Sequence, residues 1–318
     1  MPFTQINGLQ LFYHEQGPND PDAPTIVFVH GTQGNASLWA DLIDALSDRS
    51  RCAALNHRGR APSECPQDPL AYSIEQFADD QAAFIVQRGY REITMIGWSL
   101  GVRTTLAYLH RHGTERVGQA ILVAGPPSPN FGGQPLTPPD QSAPPREVWG
   151  QEFRSSTEAC WEGSQQSRAT CDLEATLPNI DIPVALFPGR HDPICPHAAA
   201  EFMAREIPDA TLVTYEDSGH APLITESQRF IEETVAFIER CEAARCARAV
   251  ALLDSISRLL LGFLQIRGSL FGIVAGQEHV VVQDCSDDRS GRRSNHVDPE
   301  AVERVRDQRW SKRPRRID

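Results

Sequence analysis

The sequence predicts an α/β fold: a doubly wound, mostly parallel eight-stranded sheet with helices on both faces and a short lid inserted after the sixth strand. Short apolar runs of strand length alternate with helical patterns through residues 1–240, which is typical of successive βαβ units. An Asn7-Gly8 turn joins the first two runs into a hairpin. The third run, residues 25–29, is apolar throughout, as in a strand that is buried on both faces.

The apolar runs predict strands over residues 3–6, 9–14, 25–29, 52–55, 93–97, 120–124, 184–188 and 211–215. Periodic apolar patterns between these runs predict helices over residues 37–46, 74–89, 99–112, 196–206 and 227–241. One doubly wound domain therefore accounts for residues 1–240.

One connection, at about residues 126–180, is much longer than the others. Nine prolines lie between Gly125 and Ile180. A structureless loop of this length is uncommon inside a compact domain, and it is usually a lid or a disordered segment. Because it follows the strand at 120–124, over the edge where catalytic loops gather, we predict a lid.

The remaining residues, 241–318, form a predicted C-terminal extension. An amphipathic pattern over residues 249–266 predicts a helix. After Gln283 the composition becomes charged and poor in aromatic residues, which is typical of disorder. We therefore expect an appendage that is partly helical and then disordered.

Composition limits the classes of protein to which this chain can belong and predicts its cellular compartment. The formal net charge of −12 argues against general nucleic-acid binding, which needs clustered Lys and Arg. The eight cysteines are scattered and the N-terminus has no signal-peptide pattern, so a reduced, cytoplasmic setting is expected. The longest apolar region, residues 249–273, is interrupted by charges and predicts no membrane span. We expect a monomer or a homodimer.

Residues 97–101, Gly-Trp-Ser-Leu-Gly, fit the G-x-S-x-G pattern directly after a predicted strand and at the start of a predicted helix. A sharp strand-to-helix turn imposes strained backbone angles on the serine, and the glycines remove side chains that would collide with neighbouring segments. A helix N-terminus beneath the serine also favours negative charge on a bound oxygen. Ser99 is therefore the candidate nucleophile.

A serine hydroxyl needs a general base within hydrogen-bond reach and an acid that orients this base. In the chain order typical of this motif, the acid follows the serine and the histidine comes last. Asp192 follows the predicted strand at 184–188, and His220 follows the one at 211–215. Both stand at carboxyl ends of parallel strands, where open sheets place their sites. We predict a Ser99, His220 and Asp192 triad.

With these motifs in order, residues 1–240 resemble the α/β-hydrolase fold superfamily. Residues 189–196, Gly-Arg-His-Asp-Pro-Ile-Cys-Pro, are similar to the acid loop of that family, and residues 217–222, Asp-Ser-Gly-His-Ala-Pro, are similar to its histidine loop. Relatives that use aspartate or cysteine as nucleophile are excluded by Ser99. The resemblance therefore implies acyl transfer on an ester, lactone or thioester, or peracid formation as in metal-free haloperoxidases.

Residues 30–34, His-Gly-Thr-Gln-Gly, match the oxyanion loop of the family. The resemblance implies that the backbone N–H of Thr32, or that of Gln33, pairs with the N–H of Leu100 to form an oxyanion hole. The usual D-x-R-G-x-G-x-S stretch departs from the family at residues 56–63, with Asn and Ala where the family has Asp and the second Gly. We interpret this stretch as a structural turn near the mouth of the site.

Aromatic residues beside the nucleophile and in the insertion are candidate substrate contacts. These residues are Trp98, Trp149, Phe153 and Trp161. For Trp98, packing within the fold is an alternative to lining the substrate pocket.

His191, Cys195 and His197 are close in sequence, a spacing that could suggest a metal site. They flank the acid loop without a further set of ligands, so we predict no metal and no cofactor.

Three hypotheses of function follow. The first is an enzyme that hydrolyses a carboxylic ester, lactone or thioester of a small or medium acyl substrate, without a cofactor. The compact, proline-rich lid resembles those of hydrolases in secondary metabolism. The second is a perhydrolase or haloperoxidase, or a non-hydrolytic cyclase, on the same scaffold. The third is a ligand-binding receptor that keeps the triad. The complete set of motifs favours the first.

Overall fold

The fold is taken from a computed structural model that describes residues 2–20 and 23–271. These residues form ten strands: β1 (Phe3–Ile6), β2 (Leu9–Gln16), β3 (Thr25–Val29), β4 (Arg51–Leu55), β5 (Ile93–Trp98), β6 (Val117–Val123), β7 (Arg146–Val148), β8 (Gln151–Phe153), β9 (Val184–Phe187) and β10 (Ala210–Leu212). Seven α-helices accompany them within the described residues: α1 (Ala40–Leu46), α2 (Ile74–Arg88), α3 (Leu100–His112), α4 (Glu158–Thr170), α5 (His197–Glu206), α6 (Pro222–Thr225) and α7 (Ser227–Phe271).

Eight of the strands form one sheet in the order β1-β2-β4-β3-β5-β6-β9-β10. The first two pairings, β1 with β2 and β2 with β4, are antiparallel, and every later pairing is parallel. The predicted fold class is therefore confirmed. The β10 strand is shorter than the apolar run at 211–215 suggests, because only residues 210–212 pair with β9.

Helices cover both faces of the sheet because consecutive side chains of each strand point to opposite sides. In β3, Val27 and Val29 join the cluster that includes buried residues of α2, α3 and α5. Between them, Phe28 points to the other face and packs against Trp39, with ring centroids 5.0 Å apart. On that second face, Phe230 of α7 packs against Phe187 of β9, with centroids 5.6 Å apart. Both faces of the parallel strands are thus buried.

The insertion after β6 has secondary structure of its own. It contains the β7–β8 hairpin, α4, and short 3₁₀ turns at Pro129–Phe131 and Glu174–Asn179. The hairpin turn is formed by Trp149 and Gly150, with φ values of 50° and 69°. Successive positive φ values suit the tight turns whose twist matches that of paired strands. A lid function for this segment stays a prediction.

The C-terminal region differs from the expectation of two separate helices. A single helix, α7, runs from Ser227 to Phe271. No Gly or Pro lies between residues 241 and 249, and this alanine-rich stretch favours helix continuation. The chain divides into two compact units, one up to Phe237 and one that begins at Ile238. The disorder expected after Gln283 falls outside the described residues.

Among the described helices, none combines the length and the apolar character that crossing a membrane requires.

Candidate active site

Ser99 lies between the end of β5 and the start of α3, in a sharply bent backbone. Its φ is 58° and its ψ is −116°, a conformation that costs energy for a residue with a side chain. Gly97 and Gly101 are required here because any side chain at either position would collide with neighbouring backbone. A Cβ on Gly97 would lie 2.4 Å from the carbonyl oxygen of Gly101, and a Cβ on Gly101 would lie 2.1 Å from that of Val29. The bend therefore holds the Ser99 side chain at the end of the sheet, above the first turn of α3.

The loops after β9 and β10 contact each other through their backbones. Gly189 pairs with Tyr215 in an isolated bridge, and the N–H of His191 donates to the carbonyl oxygen of Ser218 at 3.0 Å. A Cβ on Gly189 would lie 2.0 Å from the carbonyl oxygen of Gly219. Only glycine allows this approach, which fixes the distance between the two loops.

These two loops and the bend after β5 bring Ser99, His220 and Asp192 into one hydrogen-bonded chain. His220 Nε2 lies 3.0 Å from Ser99 Oγ, and His220 Nδ1 lies 2.8 Å from Asp192 Oδ2. The Asp192 side chain is fully buried, whereas 17% of the His220 side chain is exposed. The three residues that the sequence predicted therefore meet at the carboxyl edge of the sheet.

The hydrogen bonds define which nitrogen of His220 carries the proton. A carboxylate only accepts hydrogen bonds, so Nδ1–H donates to Asp192 and Nε2 is left to accept from the Ser99 hydroxyl. Asp192 is itself held, because its Oδ1 accepts from the N–H groups of Ile194 and Cys195 at 2.8 and 2.9 Å. In this arrangement the imidazole can remove the hydroxyl proton of the serine.

Trp98, predicted either to line the pocket or to pack, contacts the histidine loop. Its indole Nε1 donates to the backbone carbonyl oxygen of His220 at 2.8 Å, and the two rings lie 5.2 Å apart between centroids. The Trp98 side chain also lies against the loop after β3, since a Cβ on Gly31 would be 3.0 Å from its Cε3. Trp98 therefore links the two loops on either side of Ser99.

The loop after β3 runs directly beside Ser99. A Cβ on Gly31 would lie 2.9 Å from the Ser99 Cβ, so the next residue, Thr32, is held close to the candidate nucleophile. Thr32 is buried, whereas Gln33 is exposed and its Nε2 donates to the carbonyl oxygen of Thr137 at 2.5 Å. Leu100 is the first residue of α3, so its N–H has no acceptor within the helix.

A buried polar cluster behind this loop was missed by the sequence analysis. His30 Nδ1 donates to the carbonyl oxygen of Gly31 at 3.0 Å, and its Nε2 accepts from the N–H of His57 at 3.1 Å. Burial, and after it the charge of Arg60, lower the pKa of His30 to about 3. Burial likewise holds the pKa of His57 well below its ordinary value. The sequence predicts only a structural turn at 56–63, because no apolar periodicity there signals that these residues are buried.

The other aromatic residues predicted to contact substrate lie within the fold as follows. Trp149 stacks on His14 of β2, with ring centroids 3.6 Å apart and planes 2° apart. Phe153 is 1% exposed and packs edge-on against Phe12 of β2, 5.1 Å between centroids. Trp161 is partly buried in α4. Both hairpin aromatics thus attach the insertion to β2, and a contact with substrate stays a prediction for all three.

The side chains of Asp192, Cys195 and His220 could be considered as metal ligands, since their donor atoms lie within 4.8 Å of one another. However, Asp192 and His220 are hydrogen-bonded to each other. Burial raises the pKa of the Cys195 thiol, which disfavours the thiolate that binds metals. This donor set is therefore better suited to orienting His220 than to holding a metal ion.

Comparison with known proteins agrees with this architecture. A model described as the alpha/beta hydrolase family matches residues 26–233, well over half of the chain, and the protein therefore belongs to this family.

Individual relatives are distant. The chain is 27% identical over 245 residues to the pimeloyl-[acyl-carrier protein] methyl ester esterase of Nitrosomonas europaea, an alignment that covers 66% of this chain and 94% of that protein. It is 26% identical over 281 residues to the non-heme chloroperoxidase CPO-A1 of Kitasatospora aureofaciens, covering 74% of this chain and 98% of that protein. The solved structure of an enol-lactonase from Burkholderia xenovorans has a TM-score of 0.63 at 22% identity, covering 75% of this chain and all of that one. At this identity, the structural likeness shows the fold alone.

Proposed function

We propose that this protein is a serine hydrolase that cleaves a carboxylic ester, lactone or thioester through an acyl-enzyme. The observation that carries the proposal is the hydrogen-bonded chain from Ser99 through His220 to the buried Asp192, at a strained bend where the serine faces a helix N-terminus. Such a chain supplies the base and the oriented tautomer that a weakly nucleophilic hydroxyl needs. The names of relatives, which include a methyl ester esterase, are consistent with ester substrates.

In the proposed cycle, Ser99 Oγ attacks the acyl carbon while His220 Nε2 takes the hydroxyl proton. The N–H groups of Thr32 and Leu100, with Gln33 as the alternative to Thr32, stabilise the oxyanion. His220 then gives its proton to the leaving alcohol or thiol. A water molecule next attacks the acyl-enzyme, His220 takes its proton, and the acid leaves as Ser99 regains its hydrogen. Each step uses only side chains, backbone N–H groups and water.

The experiment that tests this proposal is labelling with a fluorophosphonate probe, followed by mass spectrometry of the labelled peptide. We expect wild-type protein to be labelled on Ser99, and both Ser99→Ala and His220→Ala to lose the label and the hydrolysis of p-nitrophenyl acetate. A matched control is Ser156→Ala, because Ser156 is also buried and its hydroxyl has no partner among the described residues. A folded wild-type protein that stays unlabelled, while a control hydrolase reacts, would contradict the proposal.

A perhydrolase activity is a second candidate, favoured by the relative named as a non-heme chloroperoxidase. In that reaction, hydrogen peroxide attacks the acyl-enzyme in place of water, and the acid leaves as a peracid. Peroxide-dependent bromination of monochlorodimedone in the presence of acetate and bromide, absent in Ser99→Ala, would support it. If the protein hydrolyses esters but forms no peroxide-dependent product, the perhydrolase candidate is rejected and the hydrolase proposal stands.

A further inference from the structure

Arg60 is a fully buried cation in the turn that follows β4. It is 0% exposed, and one of its terminal nitrogens donates to the carbonyl oxygen of Thr32, in the loop beside Ser99. The other terminal nitrogen donates to Cys160 Sγ of α4, and the guanidinium lies 5.5 Å from the ring centroid of Phe77. The Arg60 Nε has no hydrogen-bond partner among the described residues. Every one of these contacts is with a group that carries no negative charge when the thiol is protonated.

The neighbouring residues leave the charge of Arg60 without a counter-charge. Arg58, two residues earlier, is paired through both carboxylate oxygens with buried Asp80, at 2.7 Å each. Position 56 has an asparagine where the family pattern has an aspartate, and its Oδ1 accepts from the N–H of Ala36 at 2.9 Å. Among the described residues, no carboxylate forms an ion pair with Arg60. One positive charge therefore remains buried behind the loop.

A buried guanidinium without a counter-charge is costly to desolvate, so stabilisation of the fold is a poor explanation for it. The position of the Arg60 guanidinium suggests a different explanation for its burial. The Thr32 carbonyl that it binds belongs to the same residue as the N–H proposed to bind the oxyanion. Covalent geometry and a normal hydrogen bond place the guanidinium within roughly 6–7 Å of that nitrogen.

The positive charge of Arg60 also acts on two neighbouring imidazoles, those of His30 and His57. After burial, the charge of Arg60 is the next cause that lowers the pKa of His30, which adjoins the oxyanion loop. The same charge also lowers the pKa of His57, after burial and the proximity of His30. A charge that disfavours protonation of these imidazoles favours a negative charge in the same region.

We propose that Arg60 is a positioning residue of the oxyanion loop: it fixes the Thr32 carbonyl and supplies an uncompensated positive charge behind the developing oxyanion. This inference rests on the proposed acyl-transfer function. It assigns a role to a residue of the 56–63 stretch that the sequence suggested was only a structural turn. The electrostatic contribution acts mainly on the transition state, because the substrate carbonyl acquires its charge only there.

Two substitutions separate the charge from the hydrogen bond. Arg60→Gln keeps an amide donor without the charge, and Arg60→Lys keeps the charge with fewer donors. For Arg60→Gln we expect kcat on a chromogenic ester to fall about 10- to 100-fold, with KM within about twofold. The affinity for a boronic acid, which forms an anionic tetrahedral adduct with serine, should fall in proportion. Arg60→Lys should keep kcat within about fivefold of wild type.

Cys160→Ala is the matched control, because it removes a buried neighbour of Arg60 and leaves the charge and the Thr32 contact in place. We expect a lower melting temperature and an unchanged kcat. The inference is overturned if Arg60→Gln keeps the wild-type kcat and boronic acid affinity, or if Cys160→Ala loses as much kcat as Arg60→Gln. If Arg60→Gln does not fold, Arg60→Lys decides: a kcat within about fivefold supports the charge, and a larger loss overturns it.

Failure of the inference and failure of the proposed function are distinguishable. Fluorophosphonate labelling of wild-type Ser99 tests the function without reference to Arg60. A labelled wild type with an insensitive Arg60→Gln variant overturns the inference alone, whereas an unlabelled wild type overturns both.

Discussion

The indole Nε1 of Trp98 donates a 2.8 Å hydrogen bond to the backbone carbonyl oxygen of His220. The residue directly before the candidate nucleophile thus holds the backbone of the candidate base, across 122 positions of sequence. A side chain at this position therefore affects the distance between Ser99 Oγ and His220 Nε2, which is 3.0 Å.

Replacing Trp98 with phenylalanine should slow catalysis without unfolding the protein. Phenylalanine keeps an apolar ring against His220 and removes the indole N–H. Because a hydrogen bond of this kind contributes about 0.5–1.5 kcal/mol, we expect kcat to fall about 3- to 10-fold. Steady-state kinetics on a chromogenic ester would measure this. Trp39→Phe serves as control, because the buried Trp39 Nε1 has no hydrogen-bond partner among the described residues, and equal effects of the two substitutions would refute a specific role for the Trp98 N–H.

Asp192→Asn should nearly abolish activity while the protein stays folded. The asparagine oxygen can still accept from the N–H groups of Ile194 and Cys195, but its amide would donate to His220 Nδ1 and impose the wrong tautomer. We expect kcat to fall about 10³- to 10⁴-fold.

Asp172→Asn is the matched control for this substitution, because Asp172 is exposed and its Oδ1 accepts from the N–H of Glu174 at 3.0 Å. Its kcat should equal that of wild type. Melting temperatures of both variants would separate activity from stability, and a well-folded Asp192→Asn protein with near-normal kcat would exclude Asp192 as the orienting acid.

Gly101→Ala should destabilise the bend at Ser99. The added Cβ would lie 2.1 Å from the Val29 carbonyl oxygen, a backbone atom that cannot move without shifting β3. We expect a loss of at least about 2 kcal/mol in the free energy of unfolding, or no soluble protein. Gly132→Ala is the control, since its Cβ would meet only the carbonyl oxygen of Pro129, at 3.5 Å. Urea denaturation should show a change within about 0.5 kcal/mol there, and similar stabilities for the two variants would show that the bend tolerates a side chain.

Acid should destabilise the protein through the buried histidines His30 and His57. His30 and His57 bind protons less readily when folded than when unfolded, so the unfolded state takes up more protons as pH falls. The contribution of His30 to stability is therefore complete above about pH 6.5 and is lost as the pH falls towards about 3, by roughly 1.4 kcal/mol per pH unit, and His57 acts in the same direction. The positive charges of Arg60 and Arg58 add to this effect, because both lower the pKa of His57.

His57→Phe should make this loss shallower. Neither ring nitrogen of His57 has a hydrogen-bond partner among the described residues, and the ring packs 4.8 Å from Phe77, so phenylalanine leaves no polar group unsatisfied. Chemical denaturation between pH 4 and 7 would measure the slope, with exposed His191→Gln as control. An unchanged slope in His57→Phe would show that His57 does not bind protons on unfolding.

The strand and helix boundaries predicted from the sequence lie close to the observed ones, because the parallel strands are apolar throughout and the helices between them have periodic apolar residues. Within the insertion the sequence predicts a lid but no strand or helix, whereas a hairpin and a helix are present. Proline content suggests a loop there, whereas the hairpin is held against β2 by Trp149, which stacks on His14, and by Phe153, which packs edge-on against Phe12. These contacts are distant in sequence and leave no local pattern.

By itself, the sequence determined the α/β class, the order of Ser99, Asp192 and His220, and the glycine-flanked bend, because each depends on periodicity or on a short motif. Only the tertiary structure decided that Trp98 holds His220 and that Arg60 is buried behind Thr32 without a counter-charge. Charge balance is a property of which side chains meet in space. A local pattern cannot record it, since Asp80 pairs with Arg58 and leaves Arg60 alone only after β4 and α2 have packed together.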